Sequence, residues 1–295
     1  MIARTAARLR SRYHPLHRLR KHRSFRLIAA RIDFPISARL KWVDCPVRIH
    51  WLRNATYWLS SRSPEPEILG LIMALQRTFE IEVFWDVGGN IGIYAWLLKS
   101  LNHNIRVTVM EPDPSNCNLL RDTRRRTRWL SDVEILQVAA SNRGGIVPFA
   151  LDPISSATGA VVSDQRTFSE QQYGVMPPTI QSPASALDDL TSPPPDLIKI
   201  DTEGHEDEVI AGAMGVIRKH FPLLILECFH SNSNALRLLR SQGYTLVDAE
   251  RPALAEMRAC SLETTNYLAL PPSAMELLPA LLKAWRGSLD DILRA

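Results

Sequence analysis

Three turns, each following a short apolar run, carry the residues that could do chemistry. The first is Val83-Phe84-Trp85-Asp86-Val87-Gly88-Gly89-Asn90-Ile91-Gly92. An apolar strand there ends in a carboxylate, and a glycine-rich turn opens a helix. Glycine lets a backbone turn sharply and approach a ligand closely. Ligands of open α/β sheets sit at the carboxyl ends of strands. A dinucleotide site would need G-x-G-x-x-G to seat a pyrophosphate on the helix N-terminus. Counted from Gly88, the third residue is Asn90 and the sixth is Ile93. Asp86 would also repel a pyrophosphate. A carboxylate at this point suits a cationic ligand instead.

The second turn is Val107-Thr108-Val109-Met110-Glu111-Pro112. It puts an acid at the end of the next strand, about 20 residues on, where a carboxylate accepts hydrogen bonds from ribose hydroxyls. The third is Asp196-Leu197-Ile198-Lys199-Ile200-Asp201-Thr202-Glu203-Gly204-His205-Glu206. It delivers Asp201, Glu203, His205 and Glu206 into one turn, a costly concentration of ionisable groups unless they are used. A plain helix start accounts for part of it, with Asp201 or Thr202 capping and Glu203 and Glu206 meeting the helix dipole. It does not account for His205.

The elements that must hold these turns follow from the rhythm of the chain. From residue 81, short apolar runs alternate with helical stretches. The runs are Val83–Val87, Arg106–Glu111, Glu134–Ala140, Leu197–Asp201, Leu223–Cys228, Thr245–Val247 and Asn266–Leu270. Several are apolar on both faces, as strands of a parallel sheet covered by helices must be. Helices are expected over Gly92–Ser100, Ser115–Arg126, Glu206–His220 and Asn232–Gln242. The expectation is a doubly wound α/β domain over residues 81–295. Asn142 to Gly145 reads as a turn and Ile146 to Leu151 as a returning strand. Residues 152–195 are rich in Ser, Thr, Pro and Gln and too long for an ordinary loop. They read as a flexible insertion, in the role of a lid. Residues 32–80 are expected to be a mostly helical extension, its clearest helix at Glu67 to Phe79 with Ile68, Leu71, Ile72, Leu75 and Phe79 on one face.

Charge is concentrated at the N-terminus. Residues 1–31 hold ten Lys or Arg and no acid, whereas the whole chain is only +4. The arm reads as solvated, with an anionic membrane surface as a peripheral partner and nucleic acid as a less favoured one. No apolar run is long enough to cross a bilayer and no secretory signal is evident. Cys45, Cys117, Cys228 and Cys260 lack metal-ligand spacing and read as reduced thiols of a cytoplasmic protein.

Taken in order, D-V-G-G-N-I-G at Asp86–Gly92, E-P-D-P at Glu111–Pro114, A-A-S-N at Ala139–Asn142, L-D-D-L at Leu187–Leu190 and I-K-I-D-T-E-G-H-E at Ile198–Glu206 form a set. The set resembles the FkbM-type methyltransferase family, enzymes dependent on S-adenosylmethionine (SAM) that mostly O-methylate sugars and macrolide-like natural products. It spans about residues 81–230. The family's usual G-A-N is replaced by Gly88-Gly89-Asn90, which keeps the room around the backbone.

The resemblance implies a class I methyltransferase (Rossmann-like) fold with a mostly parallel seven-stranded sheet. It also implies SAM, whose sulfonium and ammonium groups match the cationic ligand that Asp86 suits. Asp86, Gly88, Gly89 and Asn90 would line its methionine end, Glu111 and Pro112 its ribose, and Ala140 and Ser141 its adenine. Asp201 is the first candidate for general base or acceptor anchor, His205 the second, and Glu203, Glu206 and Glu227 are supports. A metal-free site is expected; if a hard cation such as Mg²⁺ is held at all, Asp201 and Glu227 at neighbouring strand ends would hold it. The acceptor is expected to be a small molecule or glycan: a hydroxyl of a sugar, glycoconjugate or polyketide-type product. The rivals are a nucleic-acid methyltransferase using the basic arm and a non-catalytic binding module.

Overall fold

A computed structural model of the chain describes residues 19–20, 22–59, 65–162, 167, 170–171, 174–252 and 265–294. Most of the basic arm, residues 1–18 and 21, lies outside the described residues, as does Cys260.

The described chain begins with helix α1 (Arg23–Ile32), an antiparallel hairpin of β1 (Pro35–Arg39) and β2 (Pro46–His50), and helices α2 (Ala55–Leu59) and α3 (Pro66–Phe79). The hairpin adds two strands to residues 32–80, expected to be mostly helical, beside α2 and α3. Residues alternate in burial along β2, with Val47 and Ile49 fully buried, so a short period-two stretch was there to be read. Nor does residue 80 divide the packing. Leu71, Ile72 and Leu75 of α3 share one core with Phe84 and Trp285.

The main body then runs β3 (Val83–Val87), α4 (Ile93–Leu101), β4 (Arg106–Met110), α5 (Pro114–Arg126) and β5 (Glu134–Leu136). Next come β6 (Ala139–Ala140), β7 (Gly145–Ala150), β8 (Ala160–Val161) and β9 (Thr179–Ser185). The chain closes with β10 (Leu197–Ile200), α6 (Glu206–Ala211), α7 (Met214–His220), β11 (Leu223–Glu227), α8 (Asn234–Ser241), β12 (Thr245–Asp248), β13 (Asn266–Leu270) and α9 (Leu278–Arg294).

Seven strands form one sheet in the order β12-β13-β11-β10-β3-β4-β5. β13 alone runs opposite to the other six strands. The doubly wound, mostly parallel seven-stranded sheet is thus the one expected. Along β3, Phe84 faces the core shared with α3, α4 and α9, while Val83, Trp85 and Val87 face the core shared with α6, α7 and α8. This double burial is why the strand is a continuous apolar run. The chain order reverses between β3 and β10, and a crevice opens there beyond the strands' carboxyl ends.

Two expected elements are broken by packing. The run Glu134–Ala140 splits, with β5 in the main sheet and β6 in a second sheet ordered β6-β9-β7-β8. The helix expected over Glu206–His220 breaks at Gly212 and Ala213. A Cβ on Gly212 would lie 2.2 Å from the Ser141 carbonyl oxygen, so the chain must bend where it meets that loop. The second sheet draws its strands β8 and β9 from the insertion expected at residues 152–195. There β9 pairs with β7 from Thr179 to Ala184, and β7 pairs with β8. Among the described residues, no helix is long and apolar enough to cross a membrane.

Candidate active site

The glycine-rich turn is shaped first by the protein's own backbone. Gly88 has φ +77° and Gly92 φ +81°, both in the left-handed region that favours glycine. A Cβ on Gly88 would lie 1.9 Å from the Asp201 carbonyl oxygen, so the turns after β3 and β10 touch. The amides of Gly88 and Gly89 both donate to the Met110 carbonyl, at 2.9 and 3.1 Å, which ties the same turn to the end of β4.

Glu111 then locks the two turns together. Its carboxylate accepts from the Asn90 amide at 2.7 Å and the Asp113 amide at 2.8 Å. Glu111 is buried, and that burial pushes its carboxyl up to about 8 despite these hydrogen bonds. Asn90 is held in the left-handed region at φ +51°.

Beneath the turn lies a buried charge cluster. Asp86 of β3 and Lys199 of β10 are direct partners in the parallel register, so their side chains share one face of the sheet. Lys199 Nζ donates to Asp201 Oδ2 at 2.8 Å and sits 4.7 Å from the centroid of the Tyr94 ring. The Tyr94 hydroxyl donates in turn to Glu65 at 2.6 Å. Burial alone would lower Lys199, but the Asp201, Asp86 and Glu65 carboxylates together hold its ammonium well above the usual lysine range. Asp86 is 1% exposed, and neither of its carboxylate oxygens has a hydrogen-bond partner of normal geometry. Burial pushes its carboxyl up to about 6, with Lys199 opposing the shift.

These turns surround a cleft that is open to solvent. Its floor and walls include Gly88, Asn90, Glu111, Pro112, Ala140 and Asp201. Phe149, Ser156, Gly159 and Val161, from β7, β8 and their connection, line it from the other side. The segment read as a lid therefore does bound the cleft. The buried Asp152 shapes that connection, accepting from the amides of Ile154 and Ser155 and from the Thr158 hydroxyl at 2.8 to 3.1 Å. Asn116 Nδ2 donates to the Ser156 carbonyl at 3.1 Å and fastens the connection to α5. Asn90 Oδ1, Asn116 Oδ1 and Ser156 Oγ are buried beside the cleft with no hydrogen-bond partner.

The turn after β10 divides its residues between two tasks. Asp201 and Glu203 line the cleft. Glu206 is buried and holds the turn, accepting from the Thr202 amide and hydroxyl and the Gly204 amide at 2.9 to 3.1 Å. That bonding permits the left-handed conformations of Glu203 and Gly204, at φ +55° and +103°. His205 does not line the cleft; its Nε2 lies 3.0 Å from the Ser141 hydroxyl. Burial lowers its pKa, with Glu208 acting the other way. Ser141 is likewise spent on this contact and stands outside the cleft lining. Asp201, Glu203 and Glu227 bring one carboxylate oxygen each within 4.8 Å of one another, a grouping able to hold a metal ion.

Sequence reasoning passed over Lys199, Asn116, Phe149, Asp152 and Ser156. The signal for Lys199 was visible: a lysine between Ile198 and Ile200 in a strand read as buried on both faces needs a buried partner. The others come together only through contacts between the insertion and α5.

A family model for the methyltransferase FkbM domain matches residues 86–246. Hexuronic acid methyltransferase AglP of Haloferax volcanii is 28% identical over 154 residues, covering 52% of this chain and 58% of that relative. The chain thus matches little more than half the length of this curated relative. Among solved structures, methyltransferase FkbM of Methylobacillus flagellatus is 20% identical with a TM-score of 0.43, over 64% of this chain and 43% of that one. The O-methyltransferase TomG of Streptomyces achromogenes, solved with SAM, is 11% identical with a TM-score of 0.40, over 84% and 96%.

Proposed function

The chain belongs to the FkbM methyltransferase family, and on that premise we propose that it transfers a methyl group from SAM to a hydroxyl of a sugar, glycoconjugate or polyketide-type acceptor. The observation that carries this reading is Asp86. It is a fully buried carboxylate without a hydrogen-bond partner, packed against Gly89, between the cleft-lining Gly88 and Asn90. Lys199 offsets part of the burial cost of this carboxylate, and a cationic ligand would offset more of it. The unpartnered oxygens of Asn90, Asn116 and Ser156 add acceptors for the hydroxyl and amino groups of a nucleoside. The residues present therefore fit SAM.

When bound, SAM supplies a methyl group activated by its sulfonium. Asp86, Gly88, Gly89 and Asn90 hold the methionine end, Glu111 and Pro112 the ribose, and Ala140 the wall beside the base. Ser141, bonded to His205, supports that wall from behind. Asp201 faces the cleft and anchors the acceptor hydroxyl or takes its proton, while Lys199 orients the carboxylate. Glu203 supports it from the same turn. His205, turned to Ser141, becomes a positioning residue and no longer the second candidate base. Positioning of this kind contributes roughly 7–11 kcal/mol in well-oriented cases, and a general base adds about 10²–10⁴-fold. The AglP relationship favours the sugar end of the acceptor range.

Calorimetry with SAM tests the binding half, and transfer of labelled methyl to a panel of hexuronic-acid, neutral-sugar and polyketide acceptors tests the other. Micromolar SAM binding lost in Asp86→Ala and Glu111→Ala is the expected result. A folded protein that ignores SAM would overturn the reading.

A further inference from the structure

Helix α1 is anchored at its two ends by polar side chains. Arg20, 3% exposed and just before the helix, donates to the carbonyls of Leu52 and Arg53 at 2.9 and 2.6 Å, and Arg26 donates to the Arg20 carbonyl at 3.0 Å. Asp33, at the helix end, accepts from the Leu52 amide and from Arg53 Nε, at 2.9 and 2.6 Å. The aliphatic side faces outward: Leu27 is 60% exposed, Ile28 58% and Ile32 46%.

The neighbouring chain extends this apolar face. Phe34 is 57% exposed and its ring lies 5.8 Å from that of Trp51, while Trp51 Nε1 donates to the Ile32 carbonyl at 2.6 Å. Trp58 in turn donates to the Trp51 carbonyl at 2.9 Å. Exposed apolar groups gathered in this way mark an interaction surface.

The charge around the patch selects its partner. Arg23 and Arg31 of α1 are exposed, and residues 1–32 contain no acid. Asp33, the first acid in the chain, is already paired with Arg53. Aliphatic side chains flanked by arginines, with tryptophans at the margin, are the composition of a helix lying in the headgroup layer of an anionic bilayer. A second copy of the chain would set like charges against each other. A nucleic acid would use the arginines and leave Leu27, Ile28 and Ile32 in water. We propose that α1 and the Phe34–Trp51–Trp58 surface dock on an anionic lipid bilayer. The same segment contacts the start of α5, where His50 Nε2 lies 3.3 Å from the Ser115 hydroxyl.

Co-sedimentation of the full chain with vesicles tests this, using phosphatidylcholine alone and phosphatidylcholine mixed with phosphatidylglycerol. The expected result is binding to the mixed vesicles only, weakened by salt, and weakened about tenfold or more in the double variant Leu27→Ser, Ile28→Ser. That variant keeps every arginine, and its melting temperature should match the parent's because both side chains are exposed. Equal binding of variant and parent would assign the attraction to the basic arm alone and overturn the proposal. So would failure to bind the mixed vesicles at low salt. A parent dimer that the variant converts to monomer would show a second copy covering the face, and equal displacement from vesicles by RNA in both proteins would show a nucleic-acid site. Either result would also overturn it.

Discussion

Affinity for SAM should fall about tenfold as pH is lowered from about 7 to about 5, with Asp86 as the cause. Burial holds its carboxyl at about 6 in the unliganded protein, above the ordinary value of 3.8. A group with that pKa is roughly nine-tenths ionised at pH 7 and roughly one-tenth at pH 5. A cationic ligand favours the charged form and pulls the pKa down, so at pH 5 binding must expel a proton that at pH 7 is already gone. The ligand's own ammonium stays protonated throughout this window. The same shift has a consequence for folding with the opposite sense. The unfolded chain ionises Asp86 first, so in the absence of ligand the folded state binds more protons between about pH 4 and 6, and its stability declines as pH rises through that window. The two effects separate cleanly in calorimetry at several pH values, read beside melting curves without ligand. In Asp86→Asn the affinity should be weak and flat between pH 5 and 7, and the ligand-free protein should gain stability at neutral pH. A parent affinity constant within about twofold across the window, or a slope that survives in Asp86→Asn, would refute the assignment of Asp86 to the cationic end.

Four further outcomes follow from the same geometry. Lys199→Met removes the buried cation between Asp86 and Asp201 and should cost about 3–5 kcal/mol in denaturant unfolding, together with methyl transfer. Gly88→Ala drives a Cβ to 1.9 Å from the Asp201 carbonyl and should cost more than about 3 kcal/mol, whereas Gly287→Ala, within α9 and open to space, should gain about 0.5–1 kcal/mol on the same melting assay. Asp201→Asn should lower kcat about 10²–10⁴-fold, while His205→Ala, bonded to Ser141 beside the cleft, should lower it less than about tenfold; the reverse ranking in steady-state kinetics would restore His205 as the base. Because the Lys199 ammonium already neutralises Asp201, transfer should persist within about twofold after exhaustive chelation, and a loss recovered by Mg²⁺ would assign the Asp201, Glu203 and Glu227 carboxylates to a metal instead.

Much of this site was legible one residue at a time. The apolar runs around Asp86, Met110 and Ile200 had to be buried parallel strands, and the acid after each had to emerge at the same edge of the sheet, because parallel strands present their carboxyl ends together. The missing third glycine and the acid ahead of the turn by themselves argue against a pyrophosphate. The ordered motifs from Asp86 to Glu206 placed the chain beside its family. All of these are local properties, set by side-chain type and short spacing.

Tertiary structure alone decided which polar group meets which. Asp86 and Lys199 are 113 residues apart in the chain. They become partners only because β3 and β10 pair at the point where the sheet order reverses. Pairing likewise sent Glu206 inward to hold its own turn, His205 sideways to Ser141, and Asp201 into the cleft. It drew β8 and β9 from the polar insertion, and the connection from β7 to β8, shaped by Asp152 and fastened to Asn116, walls the site. The sequence could name the ionisable residues near the strand ends, because composition and period are written along the chain. It could not say which would be buried without a partner, because burial and hydrogen bonding depend on register between segments that meet only in the folded protein.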